Sequence, residues 1–352
     1  MPDRPALVLV GGFLGAGKTS LLLRAARLLR DRGLHPAIIT NDQGGALVDT
    51  RLAAASGFDA GEVAGACFCC RFGDLVGAAR SLLAVKPDVI FAEPVGSCID
   101  ISATVLQPLK QLYAGEFRLA PYSVLVDSQR AAGFEDPRLN YLFQNQINEA
   151  DLVVYTKWDL SPNPQPPAPN PRRAVERHVS AVTGQGVAAW LDEVLNGRLR
   201  AGGRVLDIDY ARYAAAEASL GWLNWEADLR LETALPPASV VGPLLERLDA
   251  ELTRAAAPIA HLKIFDRAPS GYIRASVCRN GDEPSVEGDL LASPARRHEL
   301  VINLRASAPP PALEEAVARA ATALPPTLRI VHQQCFQPAP PVPSHRYHEV
   351  SS

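Results

Sequence analysis

The stretch that decides the fold is GFLGAGKT, residues Gly12–Thr19, which follows the apolar run Ala6–Val10. An apolar strand, a loop with the spacing G-x-x-x-x-G-K-T and a leucine-rich helix form the usual sequence context of a phosphate-binding loop. The glycines let successive backbone N–H groups point toward a phosphate, and the helix presents its positive N-terminus to the same anion. The sequence therefore predicts a nucleotide site. A strand-to-helix turn without a ligand is the simpler alternative.

Each residue of this loop has an expected role. We expect Lys18 to reach the β- and γ-phosphates, and Thr19 to offer its hydroxyl to Mg²⁺. Further contacts to the nucleotide are expected from Gly12, Gly15, Ala16, Gly17 and Ser20. A nucleoside triphosphate with magnesium is therefore the predicted ligand of the loop.

The whole chain has the composition of an ordinary globular enzyme. Its 352 residues are 47% apolar and 21% charged, with a formal net charge of −3. This charge gives no electrostatic reason to expect nucleic acid or an anionic membrane as a partner. The sequence contains no apolar stretch of about 18 residues and no signal-peptide profile at its start, so we expect a cytoplasmic protein. The length suggests two or three domains.

Strands alternate with helices in the first part of the chain. Continuous apolar runs predict buried strands at 37–40, 88–92, 123–127 and 152–155, with helices between them. This alternation predicts an α/β fold with a doubly wound, mostly parallel sheet in a P-loop domain over residues 1–200. Because ligands of such sheets lie outside the carboxyl ends of the strands, the motifs that follow each strand are expected to meet at one edge.

Acidic residues follow several of these strands. Glu93 begins the sequence EPVG at the end of one strand, and Asp42 follows another. We expect Glu93 to join the Mg²⁺ shell or to orient the attacking water, with capping of the following turn as the alternative. Asp42 and Asp127 are weaker candidates for the same shell. Because phosphoryl transfer depends on positioning and electrostatics, Lys18 and Glu93 are the expected catalytic residues.

The strand at 152–155 ends on TKWD, Thr156–Asp159. A phosphate loop followed by N/T-K-x-D at a later strand end is the guanine-selecting signature of GTPases. The carboxylate of Asp159 can accept hydrogen bonds from both N1–H and the exocyclic amine of guanine, a pattern that adenine lacks. We expect Lys157 to lay its stem along the base, and Thr156 replaces the more common Asn. A surface loop is the alternative interpretation.

Two further segments complete the first domain. The loop SAVTG, Ser180–Gly184, matches the S-A-x-T-G loop that supports the base in many GTPases, so Ser180 and Ala181 are expected nucleotide contacts. The proline-rich stretch 161–171 cannot form a helix or an inner strand. We expect it to be a surface insertion.

The pattern changes near residue 204, where strands with period-two alternation combine with two helices. The predicted strands lie at 222–229, 261–266, 272–278, 299–304 and 328–332, and the helices at 239–256 and 312–323. Their order predicts a smaller α+β domain over 204–335, of the ferredoxin-like split βαβ type with one extra strand. Trp222 and Trp225 are expected in its core. The proline-rich tail 336–352 is expected to lie over the surface.

The cysteines form one local cluster, CFCC at Cys67–Cys70. The thiolates of Cys67, Cys69 and Cys70 can converge on one soft or borderline ion, and Zn²⁺ is favoured by its availability and its tolerance of sulfur. The set lacks a fourth ligand at finger-like spacing, which suits an ion that is handed over. A structural or sensing metal and redox-active or inert thiols are alternatives. The remaining cysteines are expected to be small buried apolar residues: Cys98, Cys278 and Cys335.

Together these motifs resemble those of CobW-type GTPases, a P-loop family linked to metal delivery and metallocofactor assembly. The resemblance rests on Gly12–Thr19, Cys67–Cys70, Glu93–Gly96 and Thr156–Asp159, and it extends through the second domain in general form. The family usually shows N-E-x-G-E where this chain has NDQGG, Asn41–Gly45. One acidic residue is therefore shortened and another is missing.

The resemblance implies a GTP-binding and GTP-hydrolysing metallochaperone that delivers zinc, or another divalent transition metal such as cobalt, to a client metalloprotein. The cysteines lie in sequence between two loops that should sense the γ-phosphate, so loss of that phosphate would loosen the thiolates. A P-loop kinase or ATPase acting on a small molecule, and a GTP-gated binding module without metal transfer, are the alternatives. The sequence leaves homo-oligomerisation open. The tail histidines His345 and His348 are expected to be free.

Overall fold

The computed structural model describes residues 4–45, 48–160, 175–324 and 327–351. The chain forms two compact units that are interleaved in sequence. The first comprises Met1–Gln43, Ser56–Glu217 and Pro340–Ser352, the last of which we call the tail segment. The second comprises Gly44–Ala55 and Ala218–Ala339. The proline-rich stretch predicted at 161–171 lies outside the described residues.

Helices and strands are numbered in chain order. The strands of the first unit are β1 (Ala6–Gly12), β2 (Pro36–Asp42), β3 (Asp59–Ala64), β4 (Val89–Glu93), β5 (Arg118–Leu119), β6 (Ser123–Asp127), β7 (Leu152–Thr156) and β8 (Val175–His178). Those of the second are β9 (Gly221–Leu235), β10 (Ile259–Ala268), β11 (Gly271–Val277), β12 (Ser285–Gly288), β13 (Ala295–Ala306) and β14 (Leu328–Phe336). The helices are α1 (Lys18–Asp31), α2 (Val48–Ala55), α3 (Phe72–Leu82), α4 (Gln107–Leu112), α5 (Pro137–Glu149), α6 (Val187–Leu195), α7 (Tyr210–Glu217), α8 (Pro237–Arg254) and α9 (Pro310–Ala321). Among the helices in these described ranges, none has the length and apolar character needed to cross a membrane.

The first sheet is parallel and extends in both directions from β1. Its strand order is β3-β2-β4-β1-β6-β7-β8, and β5 pairs with β1 beside this path. The central strands are buried along almost their whole length, whereas β3 and β8 at the edges are partly exposed, which explains the continuous apolar runs of the central strands. The order reverses beside β1, where open α/β sheets bind their ligands. The predicted doubly wound, parallel sheet is confirmed.

The second sheet is antiparallel, with the order β12-β11-β10-β13-β9-β14. Because β13 lies between β9 and β10 and runs antiparallel to both, β9-α8-β10 is the predicted split βαβ unit. Trp222 and Trp225 are fully buried, as predicted. Cys278 and Cys335, which were expected to be buried, are partly exposed. The sequence did not reveal β12, since its four residues, SVEG, include a single large apolar residue, Val286, and show no apolar alternation.

The boundary between the units differs from the predicted one, which lay before α7. Helix α7 packs against α5 and buries Glu217, so the first unit continues to that residue. Helix α2 belongs to the second unit, because Val48 donates its backbone N–H to Asn303 Oδ1 at 2.9 Å and Lys263 Nζ lies 2.7 Å from the Asp49 carboxylate. These partners are 255 and 214 positions apart. Local periodicity cannot reveal contacts at such separations.

Candidate nucleotide and metal site

The loop after β1 has the conformation that its glycines allow. Gly12, Gly15 and Gly17 have φ angles of 134°, 80° and 84°, in the region that favours glycine. A Cβ on Gly12 would lie 2.5 Å from the carbonyl oxygen of Leu125 on β6, which leaves no room for a side chain. Lys18 begins α1, and its Nζ donates back to the carbonyl oxygen of Gly12 at 2.9 Å. The backbone thus adopts the strand, loop and helix that the motif predicts.

The predicted magnesium ligands Thr19 and Glu93 lie together. Thr19 Oγ1 donates to Glu93 Oε2 at 2.9 Å, and Lys18 Nζ lies 3.8 Å from Glu93 Oε1. All three side chains are buried, and a hydroxyl beside a carboxylate offers the oxygen ligands that Mg²⁺ prefers. Asp42 ends β2 two residues beyond Thr40, which pairs in register with Glu93. Asp42 therefore lies at the same end of the sheet, and its part in the magnesium shell stays a prediction.

The segment after Glu93 packs against the phosphate loop. A Cβ on Gly96, the last residue of EPVG, would lie 2.8 Å from Leu14 Cδ2 and 3.1 Å from the Leu14 backbone nitrogen. On its other side, Gln146 of α5 donates from Nε2 to the carbonyl oxygens of Gly96 and Cys98, both at 2.9 Å. The segment is therefore held between the phosphate loop and α5.

The base-selecting motif follows β7. Thr156 Oγ1 donates to the carbonyl oxygen of Ala16 at 2.7 Å, so the residue that replaces Asn ties this motif to the phosphate loop. Lys157 Nζ lies 2.6 Å from Asp127 Oδ2, and Asp127 also caps the turn that follows β6. These contacts engage Asp127, which was the other weak magnesium candidate. Asp159 is exposed in the short turn after β7, where its carboxylate is accessible to a base.

The loop after β8 lies beside the same motif. Trp158 donates its backbone N–H to the carbonyl oxygen of Val179 at 3.3 Å, and its ring stacks on His178 with centroids 3.8 Å apart. Ser180 is buried, and its Oγ accepts a backbone hydrogen bond within the loop at 3.0 Å, while Ala181 is partly exposed. The stacked pair Trp158 and His178 was not predicted, since neither residue occupies a defining position of a motif.

The three clustered cysteines converge in the loop between β3 and α3. Their sulfur–sulfur distances are 2.7 Å for Cys67–Cys69, 3.4 Å for Cys67–Cys70 and 3.7 Å for Cys69–Cys70. Cys67 and Cys69 are 3% and 2% exposed, and Cys70 is partly exposed. Among the described residues they form a group whose sulfurs could hold one metal ion. The donor set is all sulfur, which suits a soft or borderline cation.

Asn41 connects this cysteine loop to the first sheet. Its Oδ1 accepts from the N–H of Phe68 at 2.9 Å, and its Nδ2 donates to the carbonyl oxygens of Val63 and Ala66, both at 2.8 Å. Asn41 lies in β2, directly before Asp42. The loop that carries the thiols is therefore attached to a strand end at the nucleotide edge of the sheet.

A fourth cysteine lies against the cluster. Cys98 is 1% exposed, and its thiol interacts with those of Cys67 and Cys69. It is buried, as predicted, but it is not merely a packing residue. Hydrogen bonds from Cys69, Cys70 and Cys98 hold the pKa of Cys67 well below its usual value, and contact with Cys67 raises the pKa of Cys70 to about 11. Cys67 is therefore the thiol that ionises first.

A buried carboxyl group lies near the same thiols. Glu217 on α7 accepts hydrogen bonds from Gln43 Nε2 at 3.1 Å and from Ser97 Oγ. Burial raises the pKa of Glu217 to about 8, and the neighbouring Cys67 adds to the effect. Glu217 is therefore mostly protonated at neutral pH. No motif pointed to this residue, which lies 174 positions from Gln43.

The tail segment crosses the cysteine loop. Ser344 donates its backbone N–H to the carbonyl oxygen of Cys69 at 2.9 Å and its hydroxyl to that of Cys70 at 3.0 Å. Two residues later, Arg346 Nε lies 2.7 Å from Oδ2 of the buried Asp100. The tail lies over a surface, as predicted, and that surface includes the candidate metal site.

The tail histidines have protein partners. The ring of His345 packs edge-on against Phe72 with centroids 5.0 Å apart, and His348 Nδ1 lies 3.1 Å from an Arg346 guanidinium nitrogen. Both side chains therefore have protein partners, and the expectation that they are free of a metal ion stays a prediction. Neither belongs to the three-sulfur group that the described residues form.

Comparison of the sequence with known protein families agrees with this geometry. Residues 6–170 match the family model described as the CobW/HypB/UreG nucleotide-binding domain. This part of the chain is therefore similar to the nucleotide-binding domains of the CobW/HypB/UreG family. The resemblance read from the motifs is thereby confirmed.

Similar proteins are found among curated sequences and solved structures. The chain is 27% identical to the zinc chaperone YeiR of Escherichia coli (strain K12) over 322 residues, which cover 83% of this chain and 92% of YeiR. It is 29% identical to the zinc chaperone YjiA of the same strain over 165 residues, 44% of this chain and 50% of YjiA. The Zn(II)-bound structure of the YjiA GTPase from E. coli has 17% identity, coverage of 92% and 99%, and a TM-score of 0.35. HypB from Helicobacter pylori in complex with nickel has 16% identity, coverage of 55% and 86%, and a TM-score of 0.42.

The packing of Gly96 in the first unit makes a testable prediction. Gly96→Ala places a Cβ 2.8 Å from the end of the Leu14 side chain and 3.1 Å from its backbone nitrogen, so Leu14 of the phosphate loop must move. We expect nucleotide affinity to fall about tenfold, within the range that overpacking costs. Titration with a fluorescent guanine nucleotide measures the effect. Gly77→Ala is the matched control, because nothing lies within 4 Å of its added Cβ, and equal affinities for the two variants would contradict the packing argument.

The contact of the tail segment with Asp100 makes a second prediction. Arg346→Met leaves the buried Asp100 without its ionic partner, so the tail segment should detach more often. The partly exposed Cys70 should then react with a thiol reagent such as DTNB about tenfold faster, since a charge-assisted hydrogen bond is worth about 1.5–3 kcal/mol. Arg319→Met, which removes an exposed pair with Glu315, is the control. Identical reaction rates in all three proteins would show that the tail does not protect the thiols.

Proposed function

We propose that the protein is a GTP-hydrolysing metallochaperone that binds zinc through Cys67, Cys69 and Cys70 and couples its release to GTP hydrolysis. The observation that carries this proposal is the hydrogen bonding of Asn41, which fixes the cysteine loop to β2. Strand β2 pairs with β4, whose last residue is Glu93. A change at the nucleotide edge of the sheet therefore has a direct path to the thiols.

Guanine is the base that the motif after β7 supports. The exposed carboxylate of Asp159 can accept from two donors of guanine, and the fixed Thr156 sets the position of the motif relative to the phosphate loop. Ser180 and Ala181 would support the same base from the neighbouring loop. The stacked rings of Trp158 and His178 hold these two loops together.

Hydrolysis in this proposal uses electrostatics and positioning. Lys18 would neutralise charge on the β- and γ-phosphates, and Thr19 with Glu93 would hold Mg²⁺, which supplies further neutralisation when bound. Glu93 is the carboxylate that could also orient water, because it already lies within hydrogen-bonding distance of Thr19. No residue is assigned as an arginine finger, so we expect slow turnover in the absence of a partner.

The cargo is best taken as zinc. Three sulfur donors within 3.7 Å of one another suit Zn²⁺, and two relatives are named zinc chaperones. Cobalt has a similar preference for tetrahedral sulfur sites and is the alternative cargo. The low pKa of Cys67, caused by hydrogen bonds from its neighbouring thiols, would provide the first thiolate for metal capture.

The proposal includes a client metalloprotein as the recipient and the cytoplasm as the location. All six cysteines are unpaired, which accords with a reducing compartment. Metal transfer between thiol sites by ligand exchange requires direct contact between donor and recipient. A client that stimulates GTP hydrolysis would therefore also be the protein that receives the ion.

The guanine assignment predicts a switch of base specificity. Asp159→Asn replaces a two-fold acceptor with an amide that also donates, so GTP affinity should fall at least about a hundredfold, the worth of two charge-assisted hydrogen bonds. Xanthosine triphosphate, whose base has an acceptor where guanine has the amine, should gain affinity. Thermal-shift and equilibrium titrations with GTP, ATP and xanthosine triphosphate measure this. Asp192→Asn, an exposed control, should leave all three unchanged, and tighter binding of ATP than GTP by the wild type would favour an ATPase.

The coupling predicts that zinc affinity depends on the nucleotide. We expect zinc to bind about tenfold more tightly in the presence of a non-hydrolysable GTP analogue than with GDP, a coupling of ordinary size for two linked sites. Competition with a chromophoric zinc chelator measures both affinities. By linkage, zinc must raise the affinity for the GTP analogue relative to GDP by the same factor.

The control for this experiment removes the thiols. A variant with Ser at all three positions of the cluster should lose tight zinc binding in both nucleotide states, whereas Cys278→Ser should keep it. Equal zinc affinity in the two states of the wild type would leave a GTPase with an uncoupled metal site. Absence of tight zinc binding in the wild type would refute the chaperone function itself.

A further inference from the structure

Cys98 lies on a different loop from the three clustered cysteines. It lies five residues after Glu93, on the segment held between the phosphate loop and α5. Its N–H donates to the carbonyl oxygen of Val95 at 3.0 Å, which closes a turn directly after Pro94. This turn presents the thiol to Cys67 and Cys69, although they lie about 30 positions earlier in sequence.

We propose that Cys98 is the fourth sulfur ligand of the zinc site and that it is the ligand which the nucleotide controls. The inference rests on the proposed zinc-binding function and extends it by one residue and one mechanism. Neither the C-x-C-C pattern nor the three-sulfur group includes this cysteine. Its assignment comes from the contact that the turn after Glu93 creates.

The sulfur geometry supports a tetrahedral site. With Zn–S bonds of about 2.3 Å, the sulfurs of a regular tetrahedron lie about 3.8 Å apart. Cys67–Cys70 and Cys69–Cys70, at 3.4 and 3.7 Å, are already near this spacing, and Cys67–Cys69, at 2.7 Å, has to open by about 1 Å. Cys98 contacts both members of that pair, so it adds a fourth corner on their side.

One adjustment is needed to complete the site. Cys98 is not among the three sulfurs that all lie within 4.8 Å of one another, so binding must draw its sulfur and that of Cys70 together. A change of one χ1 rotamer moves a cysteine sulfur by about 3 Å, which is enough for this adjustment. Other candidate ligands are engaged elsewhere: Glu217 accepts from Gln43 and Ser97, and His345 packs against Phe72.

The position of Cys98 in the fold makes the bond from its sulfur to zinc sensitive to changes at the nucleotide edge of the sheet. Cys67, Cys69 and Cys70 share one loop, which Asn41 fixes to β2, whereas Cys98 belongs to the segment that begins at Glu93. Glu93 bonds to Thr19 at the nucleotide edge, so a displacement of this segment changes the distance from Cys98 to the other sulfurs. Four thiolates make a closed site that retains zinc, and three leave a position open for a recipient's ligand. The site therefore retains zinc with four sulfur ligands and releases it when the coordination number falls to three.

The experiment uses the full-length, reduced protein loaded with Zn²⁺ or Co²⁺ and a GTP analogue. X-ray absorption at the zinc edge of the wild type should report four sulfur neighbours at about 2.3 Å. Cys98→Ser should lose about a quarter of the sulfur-to-cobalt charge-transfer absorption, since one of four sulfur ligands is removed. Its zinc affinity should fall at least about tenfold, because loss of a ligand costs no less than loss of a ligand's hydrogen-bond partner. It should also bind zinc equally well with the GTP analogue and with GDP.

Controls separate this inference from the proposed function. Cys335→Ser, a partly exposed cysteine of the second unit, should match the wild type in spectrum, affinity and nucleotide dependence. Three sulfurs with one nitrogen or oxygen neighbour in the wild type, or an unchanged cobalt spectrum in Cys98→Ser, would overturn the inference and leave zinc binding intact. Absence of zinc from the wild type would instead overturn the proposed function. If Cys98→Ser does not fold, the sulfur count of the wild type decides the matter alone.

Discussion

A hydrogen bond from the hydroxyl of Thr19 to the carboxylate of Glu93 joins the start of α1 to the end of β4. The backbone prepares this contact, because β1 and β4 pair in parallel register and therefore end at the same edge. The carboxylate is buried, and burial of an unpaired charge is costly, so the nearby ammonium of Lys18 stabilises it. The other motifs lie at the ends of neighbouring strands of this sheet, and their positions are set relative to this pair.

Two polar side chains, Asn41 and Gln146, fix the two segments that carry the clustered cysteines and Cys98. Asn41 uses its carbonyl oxygen and both amide donors on the cysteine loop, so that loop cannot leave β2 without burying unpaired backbone groups. Gln146 holds the segment containing Gly96 and Cys98 by two hydrogen bonds to carbonyl oxygens. Each of these two segments is held in place by its own hydrogen bonds, and the segments meet where the thiol of Cys98 lies against the clustered thiols. A relative motion of the two segments would therefore first change the distances between the sulfur of Cys98 and the sulfurs of the cluster.

Much of the first unit could be predicted from sequence, because its central strands are fully buried and its motifs are contiguous. The phosphate loop and TKWD occupy the strand ends at which they were expected, and the cysteines converge because their spacing is short. What could not be predicted depends on distant contacts. Cys98 looked like a packing residue, since its partners lie on another loop. The attachment of α2 to the second sheet and of the tail to the cysteine loop involves residues more than 200 positions apart, which leave no local pattern.

The large separation in sequence between the tail segment and the cysteine loop also affects the order in which the chain folds during synthesis. Ser344 and the cysteine whose carbonyl it binds are 274 positions apart, and the chain grows from its N-terminus. At about 5–20 residues per second, the ribosome needs about 14–55 s to travel between them. Throughout that interval the segment that crosses the cysteine loop has not yet been synthesised. The nascent chain therefore passes through a stage in which its thiols are uncovered, and synthesis of the tail segment ends that stage.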